Sequence, residues 1–246
     1  PFFRSKKIIE KNISFAFSNT SKEFKKNIID KMWRSYGKIL AEYAFMKYFR
    51  EVEPEKFLEI KGQEILEKIR FSKEPVIFIS GHFDNFELMA MHIEKSGVDL
   101  AAIYRPLNNN FLNPIMENIR KKYICRKQIK KGISGTKEIL KHFKSGTSVA
   151  LMIDQRVTEG MKSLFFKNYA FTTTIPAQFI KKFNCKIVPI YIERKNNENF
   201  MLEIMKPINF DNDQTTENIT LELNQLLENM IVRNPHQWIW SHNRWK

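Results

Sequence analysis

The feature of this sequence that most constrains its fold is the alternation of strand and helix patterns from about residue 75 onward. The run "PVIFIS" is typical of a buried strand, and "NFELMAMHIEKSG" has a helical period that ends at Gly97. The same succession continues to the end of the chain. It predicts an α/β fold with a twisted, mixed, mostly parallel central sheet and helices on both faces.

Further elements follow from the same patterns. Strands are predicted at "VDLAAIY", "SVALMID", "CKIVPIYIER" and "NFMLEIMKPI". Helices are predicted at "NPIMENIRKKY", "GTKEILKHFKSG", "IPAQFIKKFN" and "TTENITLELNQLLENMIVRNP", and Pro235 closes the last of these.

The region from about residue 21 to 70 is predicted to be helical and amphipathic. Apolar residues recur at helical spacing from Phe24 to Tyr43, after a possible capping box at Thr20-Ser-Lys-Glu23. The pattern fits one helix to about residue 49 or two that meet near Gly37, followed by a short helix over about 54–70. Its apolar stripe could pack on the core or lie on a membrane surface.

Length and composition favour a single domain over residues 1–246. The chain is 43% hydrophobic, and no Pro/Gly/Ser-rich joint divides it. The two cysteines lie far apart without a CxxC motif, so we predict no metal site, no cofactor and a reducing compartment. No apolar run reaches the roughly 20 residues that span a bilayer. Because the chain opens on Pro1, we expect a segment upstream of it.

The formal charge of +14 predicts an anionic partner. An anionic membrane leaflet, an acidic protein and nucleic acid all qualify, and a solvated lysine-rich surface is the simpler alternative. No recognised nucleic-acid-binding motif is present, so we expect no nucleic-acid partner.

Polar residues follow three of the predicted strands at the point where each ends. These are Gly81-His82, Arg105-Pro106 and Asp154-Gln155-Arg156. In open α/β sheets ligands bind beyond the carboxyl ends of the strands, which predicts a site at this edge.

The pair His82 and Glu87 is the first candidate for chemistry at that edge. Residues five apart on one helix differ by roughly 140°, so the two side chains can meet only if His82 lies on the turn before the helix. A carboxylate that accepts the Nδ1 proton would leave Nε2 as a base. The alternative is a capping box from Asp84 to Glu87, in which Glu87 serves only to start the helix.

The residues around this pair resemble a known family, the lauroyl and myristoyl acyltransferases of lipid A biosynthesis, within the glycerolipid acyltransferases that carry an HxxxxD/E motif. "GHFDNFEL" is similar to the family's histidine motif, and "YRPLNN" and "LMIDQRVTEGMKSLFF" resemble its next two blocks. "TTTIPAQFIKKFNCKIVPIYIER" and "NPHQWIWSHNRWK" resemble its later segments. The likeness runs in order from about residue 10 to the end.

The resemblance implies an enzyme that moves a fatty acyl group from acyl carrier protein to a hydroxyl of a lipid A precursor. His82 would be the base and Glu87 would orient it, while backbone N–H groups in the turn after His82 would stabilise the oxyanion. Arg105 would bind the anionic headgroup of the acceptor, and Arg156 is a second candidate for this role. The alternative for Arg105 is an exposed arginine fixed by Pro106.

The resemblance also gives Asp154 and Gln155 a place in the substrate site, where they would shape it or bind sugar hydroxyls. A structural alternative for Asp154 is a cap on the turn that follows its strand. The family implies a location at the cytoplasmic face of the bacterial inner membrane, with a membrane anchor just upstream of Pro1. A related acyltransferase with a lysophospholipid acceptor, and a non-catalytic basic protein that binds nucleic acid, are the competing hypotheses.

The sequence departs from the family pattern at a few positions. Asp84 stands where a small residue is common, and Phe86 stands where tryptophan is frequent. Lys167 and Asn168 follow "LFF" where a glycine is usual. These departures leave the acceptor and the acyl-chain length open.

Overall fold

The structure is a computed structural model that describes residues 6–246, apart from the side chain at position 133. Its strands are β1 (Leu58–Lys61), β2 (Ile77–Ser80), β3 (Leu100–Tyr104), β4 (Lys127–Lys130), β5 (Ser148–Met152), β6 (Met161–Phe165), β7 (Asn168–Thr172), β8 (Ile187–Arg194) and β9 (Phe200–Ile204). Its α-helices are α1 (Lys6–Ala16), α2 (Lys22–Glu42), α3 (Met46–Glu51), α4 (Gln63–Ser72), α5 (Glu87–Lys95), α6 (Leu112–Ile119), α7 (Ile133–Lys144), α8 (Ile175–Phe183) and α9 (Thr216–Arg233).

Within the described residues, seven strands form one sheet in the order β1-β9-β8-β2-β5-β3-β4. Neighbouring strands are parallel except β8 and β9, which run antiparallel. Strands β6 and β7 form a separate antiparallel hairpin. The predicted α/β fold with a mixed, mostly parallel sheet is confirmed.

The burial of the central strands explains why their sequences are continuous apolar runs. Every residue of β2 and β8 is buried, as expected where helices cover both faces of a sheet. The buried core continues into the C-terminal segment, where Trp238, Trp240 and Trp245 are buried and Trp245 stacks on Phe165 of β6 with 5.4 Å between ring centroids. This packing holds the C-terminal segment against the β6–β7 hairpin.

The N-terminal region has the predicted helix through Gly37 without a break but differs from its prediction in three other ways. Helix α2 ends at Glu42 rather than near residue 49, and its cap is Ser21, whose hydroxyl oxygen accepts the Phe24 N–H at 3.0 Å, so the box from Thr20 to Glu23 does not form. The predicted helix over about 54–70 is also wrong in its first half, because β1 occupies it. Only four residues long, β1 is set by pairing with β9 rather than by a local pattern.

The apolar stripe of α2 packs on the core, where Ile28, Ile29, Met32 and Ile39 are buried. Across residues 6–246 we find no helix with the length and apolar character needed to cross a bilayer. The predicted anchor upstream of Pro1 lies outside the described residues.

The turn of the β6–β7 hairpin contains Lys167, one of the positions near which the family usually has a glycine. Phe165 pairs with Asn168, so Phe166 and Lys167 are the two central residues of a tight turn. Their φ angles are 49° and 60°, the left-handed region in which glycine lacks the steric cost of a Cβ atom.

We expect Lys167→Gly to stabilise the protein by about 0.5–1 kcal/mol, because it removes left-handed strain that exceeds the added entropy of the unfolded chain. The matched control is Lys162→Gly, an exposed lysine within β6, which should destabilise by about the same amount. Chemical denaturation of both variants measures the difference. A Lys167→Gly variant less stable than the parent protein would contradict the strain argument.

Candidate active site

The three polar clusters lie at neighbouring strand ends, as the sequence predicts. Strand β5 stands between β2 and β3 in the sheet, and the three strands are parallel. His82 lies in the turn between β2 and α5, Asp154 lies two residues beyond β5, and Arg105 directly follows β3. The carboxyl edge therefore gathers all three clusters.

A hydrogen-bonded pair of His82 and Asp154 forms the centre of the site. The imidazole Nδ1 lies 2.8 Å from Asp154 Oδ1. Asp154 Oδ2 accepts the backbone N–H of His82 at 2.8 Å and the indole N–H of Trp238 at 2.9 Å. A carboxylate can only accept, so the neutral imidazole carries its proton on Nδ1 and leaves Nε2 free to take another.

The environment keeps Asp154 ionised although its side chain is fully buried. Burial opposes ionisation, but the charge of His82 and the hydrogen bonds from His82 and Trp238 outweigh it and lower the pKa of Asp154 to about 2. Arg244, also buried, adds a nearby positive charge, and its guanidinium donates to the Phe171 carbonyl and to Thr172 Oγ1 at 2.6 Å.

Glu87 does not take the predicted place at Nδ1. It is buried in the first turn of α5, where its Oε1 accepts from the Tyr43 hydroxyl and from Arg120 Nε at 2.9 Å. The prediction that Glu87 accepts the Nδ1 proton is wrong, because Asp154 already holds His82 and Arg120 holds Glu87. Burial and the charge of Glu87 raise the pKa of Tyr43, so Tyr43 remains a donor.

The capping box from Asp84 to Glu87 does not form either. The Asp84 carboxylate accepts from Arg194 Nη2 at 2.6 Å and from the Asn85 N–H at 2.9 Å, at a backbone φ of 30°. Arg194 also binds Glu42 at 2.7 Å, which joins α2 to this turn. The turn after His82 is therefore fixed by buried ion pairs rather than by a helix cap.

The predicted oxyanion donors in this turn are already used. The N–H groups of Phe83, Asp84 and Phe86 donate to the carbonyls of Gly81, Gln237 and Asp84, and that of Asn85 donates to a carboxylate. The prediction that backbone N–H groups of residues 83–86 form the oxyanion hole is therefore wrong. A side-chain amide lies close to the imidazole: Gln155 Nε2 is 3.4 Å from His82 Nε2.

A shallow cleft, partly open to solvent, adjoins His82. Helix α2 forms one wall and the turn before α5 forms the other. Most of the surface that lines the cleft is apolar. The lining residues are Met32, Ser35, Tyr36, Ile39, His82, Asp84, Phe86, His236 and Gln237. Mixed linings of this kind are typical of sites that bind small or amphiphilic molecules.

The two candidate arginines occupy different environments. Arg105 is exposed at the end of β3, two strands from β2. Arg156 is half-buried: its Nε donates to the backbone oxygen of Lys246 at 3.1 Å, and its guanidinium lies 5.5 Å from the centre of the Phe171 ring. Their part in substrate binding stays a prediction.

Sequence reasoning missed Tyr43, Arg120, Arg194 and Trp238 as parts of this site. Arg120 opens a π-helical turn, Arg120–Ile124, a rare conformation that often occurs at functional sites. Trp238 belongs to the aromatic C-terminal segment, which the resemblance quotes but gives no role. Their partners lie 33 to 110 positions away in sequence, so no local pattern could identify them.

A histidine whose Nδ1 is held by a buried aspartate, at the carboxyl edge of a parallel sheet, is typical of enzymes that use imidazole as a base. Residues 2–246 match the profile of a family described as bacterial lipid A biosynthesis acyltransferase. The chain belongs to this family and is an acyltransferase of lipid A biosynthesis.

Individual relatives are similar along most of the chain. Lipid A biosynthesis acyltransferase 2 of Shigella flexneri is 24% identical, over 93% of this chain and 74% of the relative. The lauroyltransferase of Escherichia coli K12 is 23% identical, over 99% of this chain and 79% of the relative. The myristoyltransferase of the same organism is 20% identical, over 93% and 71% respectively.

We expect Glu87→Gln and Arg120→Met each to destabilise the fold by roughly 3 kcal/mol, because each leaves a buried partner without its opposite charge. The double variant should lose roughly 1–3 kcal/mol less than the two single losses together. Urea denaturation of the four proteins measures this coupling. Strictly additive losses would mean that the buried pair is not formed.

Proposed function

We propose that this protein transfers a fatty acyl group from the thioester of an acyl carrier protein to a hydroxyl of a lipid A precursor, with His82 as the general base. The observation that carries this proposal is the contact of His82 Nδ1 with Asp154, which leaves Nε2 unprotonated beside the cleft. Membership of the family supports the reaction class, and the relatives named for lauroyl and myristoyl transfer support an acyl chain of the fatty-acid kind.

The proposed reaction proceeds by proton transfer and acyl transfer at one carbonyl carbon. His82 Nε2 removes the proton of the acceptor hydroxyl as its oxygen attacks the thioester carbonyl. The tetrahedral oxyanion then collapses, the carbon–sulfur bond breaks, and the leaving thiolate takes the proton from Nε2. The products are an ester on the acceptor and a free thiol on the carrier protein.

Asp154 supports this cycle as a positioning residue. It fixes the imidazole tautomer and stabilises the imidazolium that forms when Nε2 takes the proton. Gln155 has its amide nitrogen 3.4 Å from Nε2, close enough to donate to an oxygen of the reacting group. We assign Gln155 to the substrate site on this ground, since the backbone N–H groups of the following turn are occupied.

In this proposal Glu87 acts indirectly, by joining the secondary-structure elements around the site. Its bond to Arg120 joins the start of α5 to the π-helical turn, and its bond to Tyr43 joins it to the end of α2. These contacts fix the turn that presents His82. Glu87 is therefore a positioning residue for the base, one step removed from the imidazole.

Arg105 is proposed to bind a phosphate of the acceptor. Strands in a sheet lie about 4.8 Å apart, so the end of β3 is roughly 10 Å from the end of β2, a distance that a phosphorylated disaccharide can span. The guanidinium suits bidentate binding of phosphate. Arg156 stays a predicted second arginine at this edge. An acceptor of this kind places the enzyme at the cytoplasmic face of the inner membrane.

The test of this function is an assay with a series of acyl carrier protein thioesters and the Kdo-bearing lipid A precursor, with products analysed by mass. We expect one added ester per acceptor, and His82→Ala should lower the rate by at least roughly 10²-fold, because the base is lost. Near-parental transfer by His82→Ala would show that the base is another group. Acylation of lysophospholipid in place of the precursor would contradict the proposed acceptor.

We expect Asp154→Asn to lower kcat on the order of 10³-fold while the fold persists. The amide oxygen must take the place of Oδ2, which accepts two N–H groups, so the amide nitrogen would face Nδ1 and force the imidazole proton onto Nε2. Thermal denaturation verifies folding.

The matched control is Glu87→Gln, assayed at a temperature where it remains folded. It should lose roughly tenfold or less, because it leaves the imidazole tautomer unchanged. An equal loss of kcat in both folded variants would contradict the assignment of orientation to Asp154.

A further inference from the structure

Large apolar side chains are exposed along two segments at the carboxyl edge of the sheet. One segment runs from α2 into the following turn, and the other runs from the end of β3 through α6. Phe111 is the extreme case, with 89% of its surface exposed. We call this set the apolar rim: Leu40, Phe45, Leu107, Phe111, Leu112 and Ile115.

The chain segments that carry the apolar rim approach each other at Arg120, beside the candidate site. The Arg120 guanidinium lies 5.9 Å from the centre of the Tyr43 ring and 5.7 Å from that of Tyr104. Tyr43 lies between the rim residues of the first segment, and Tyr104 lies three positions before Leu107. The apolar rim therefore borders the pair of Arg120 and Glu87, at the same edge as His82.

The rim residues of α6 are held outward by the fold. No residue of α6 is fully buried: Leu112 and Ile115 are 50% and 57% exposed, while Ile119 at the end of the helix packs partly against the core. The loop before it is ordered by Asn113, whose side-chain oxygen accepts the Leu107 N–H at 2.7 Å. Contiguous apolar side chains exposed to water are unusual on a soluble protein, and they often mark a surface that another molecule covers.

Positive charge surrounds the second segment. Residues 104–131 contain eight Lys or Arg residues and a single Glu, and four of the eight form ion pairs with acidic residues: Arg120, Arg126, Lys127 and Lys130. Lys121 and Lys122 are exposed and form no ion pair within residues 6–246. Apolar and aromatic side chains next to exposed lysines are typical of protein surfaces that lie in the boundary of an anionic bilayer.

We propose that the apolar rim inserts into the boundary of an anionic lipid bilayer and presents the site of His82 to a lipid acceptor held there. The inference rests on the proposed function, since it is the lipid acceptor that the bilayer supplies. An acidic protein would pair with the lysines equally well, but it would leave Phe111 and Ile115 without an apolar environment. An anionic bilayer supplies both negative charge for the lysines and an apolar environment for the rim side chains.

The test is flotation of the protein with vesicles of phosphatidylcholine alone and of phosphatidylcholine mixed with phosphatidylglycerol. The protein should bind the mixed vesicles more tightly. Phe111→Ser/Ile115→Ser should weaken binding to them about tenfold or more, because two inserted apolar groups are removed. Lys121→Gln/Lys122→Gln should weaken binding several-fold on the anionic vesicles and leave the zwitterionic ones unaffected.

The matched control is Phe71→Ser. Phe71 is 75% exposed near the end of α4, the helix that leads to the amino end of β2, at the opposite edge of the sheet from His82. Its replacement should leave vesicle binding unchanged. Loss of binding in Phe71→Ser equal to that in the rim variant would overturn the assignment of the surface.

Two further outcomes separate this inference from the proposed function. His82→Ala should float with vesicles as the parent protein does. A parent protein that binds vesicles through the rim but transfers no acyl group would refute the function and keep the surface. A rim variant that binds vesicles normally but loses affinity for acyl carrier protein would refute the surface, because the occupant would then be the carrier protein.

Discussion

The organisation of this site depends on one buried carboxylate. Asp154 accepts the N–H of His82, the Nδ1 proton of its ring and the indole N–H of Trp238. These contacts join the ends of β2 and β5 to the C-terminal segment. A buried charge without such partners would cost several kcal/mol, so the fold and the site constrain each other: the chain can bury Asp154 only if it also places His82 and Trp238.

Two buried arginines extend this constraint to the elements around the turn. Arg194 holds Asp84 and Glu42, and Arg120 holds Glu87. Each arginine joins a residue of the histidine motif to a part of the chain distant in sequence. The segment from His82 to Glu87 is therefore fixed at both ends, and the imidazole can keep one orientation while the groups around it change during a reaction.

The sequence predicts most of the fold because its central strands are continuous apolar runs and its helices have strong periodicity. It predicts the position of the site because strand ends can be read directly from those runs. It fails at the β6–β7 hairpin and at β1 and β4. The last two are edge strands of four residues each, whose conformation depends on pairing with distant strands. Glu87 illustrates the same limit. It is the plausible partner for His82 nearby in sequence, but the imidazole contacts Asp154, 72 positions away.

The proposed role of Asp154 is to hold the His82 proton on Nδ1 and leave Nε2 as the base. Nitrogen-15 NMR of the protein labelled at histidine tests this role, at a pH where the His82 ring is neutral. We expect His82 to carry its proton on Nδ1 in the parent protein and on Nε2 in the Asp154→Asn variant. A neutral His82 protonated on Nε2 in the parent protein would refute the role of Asp154.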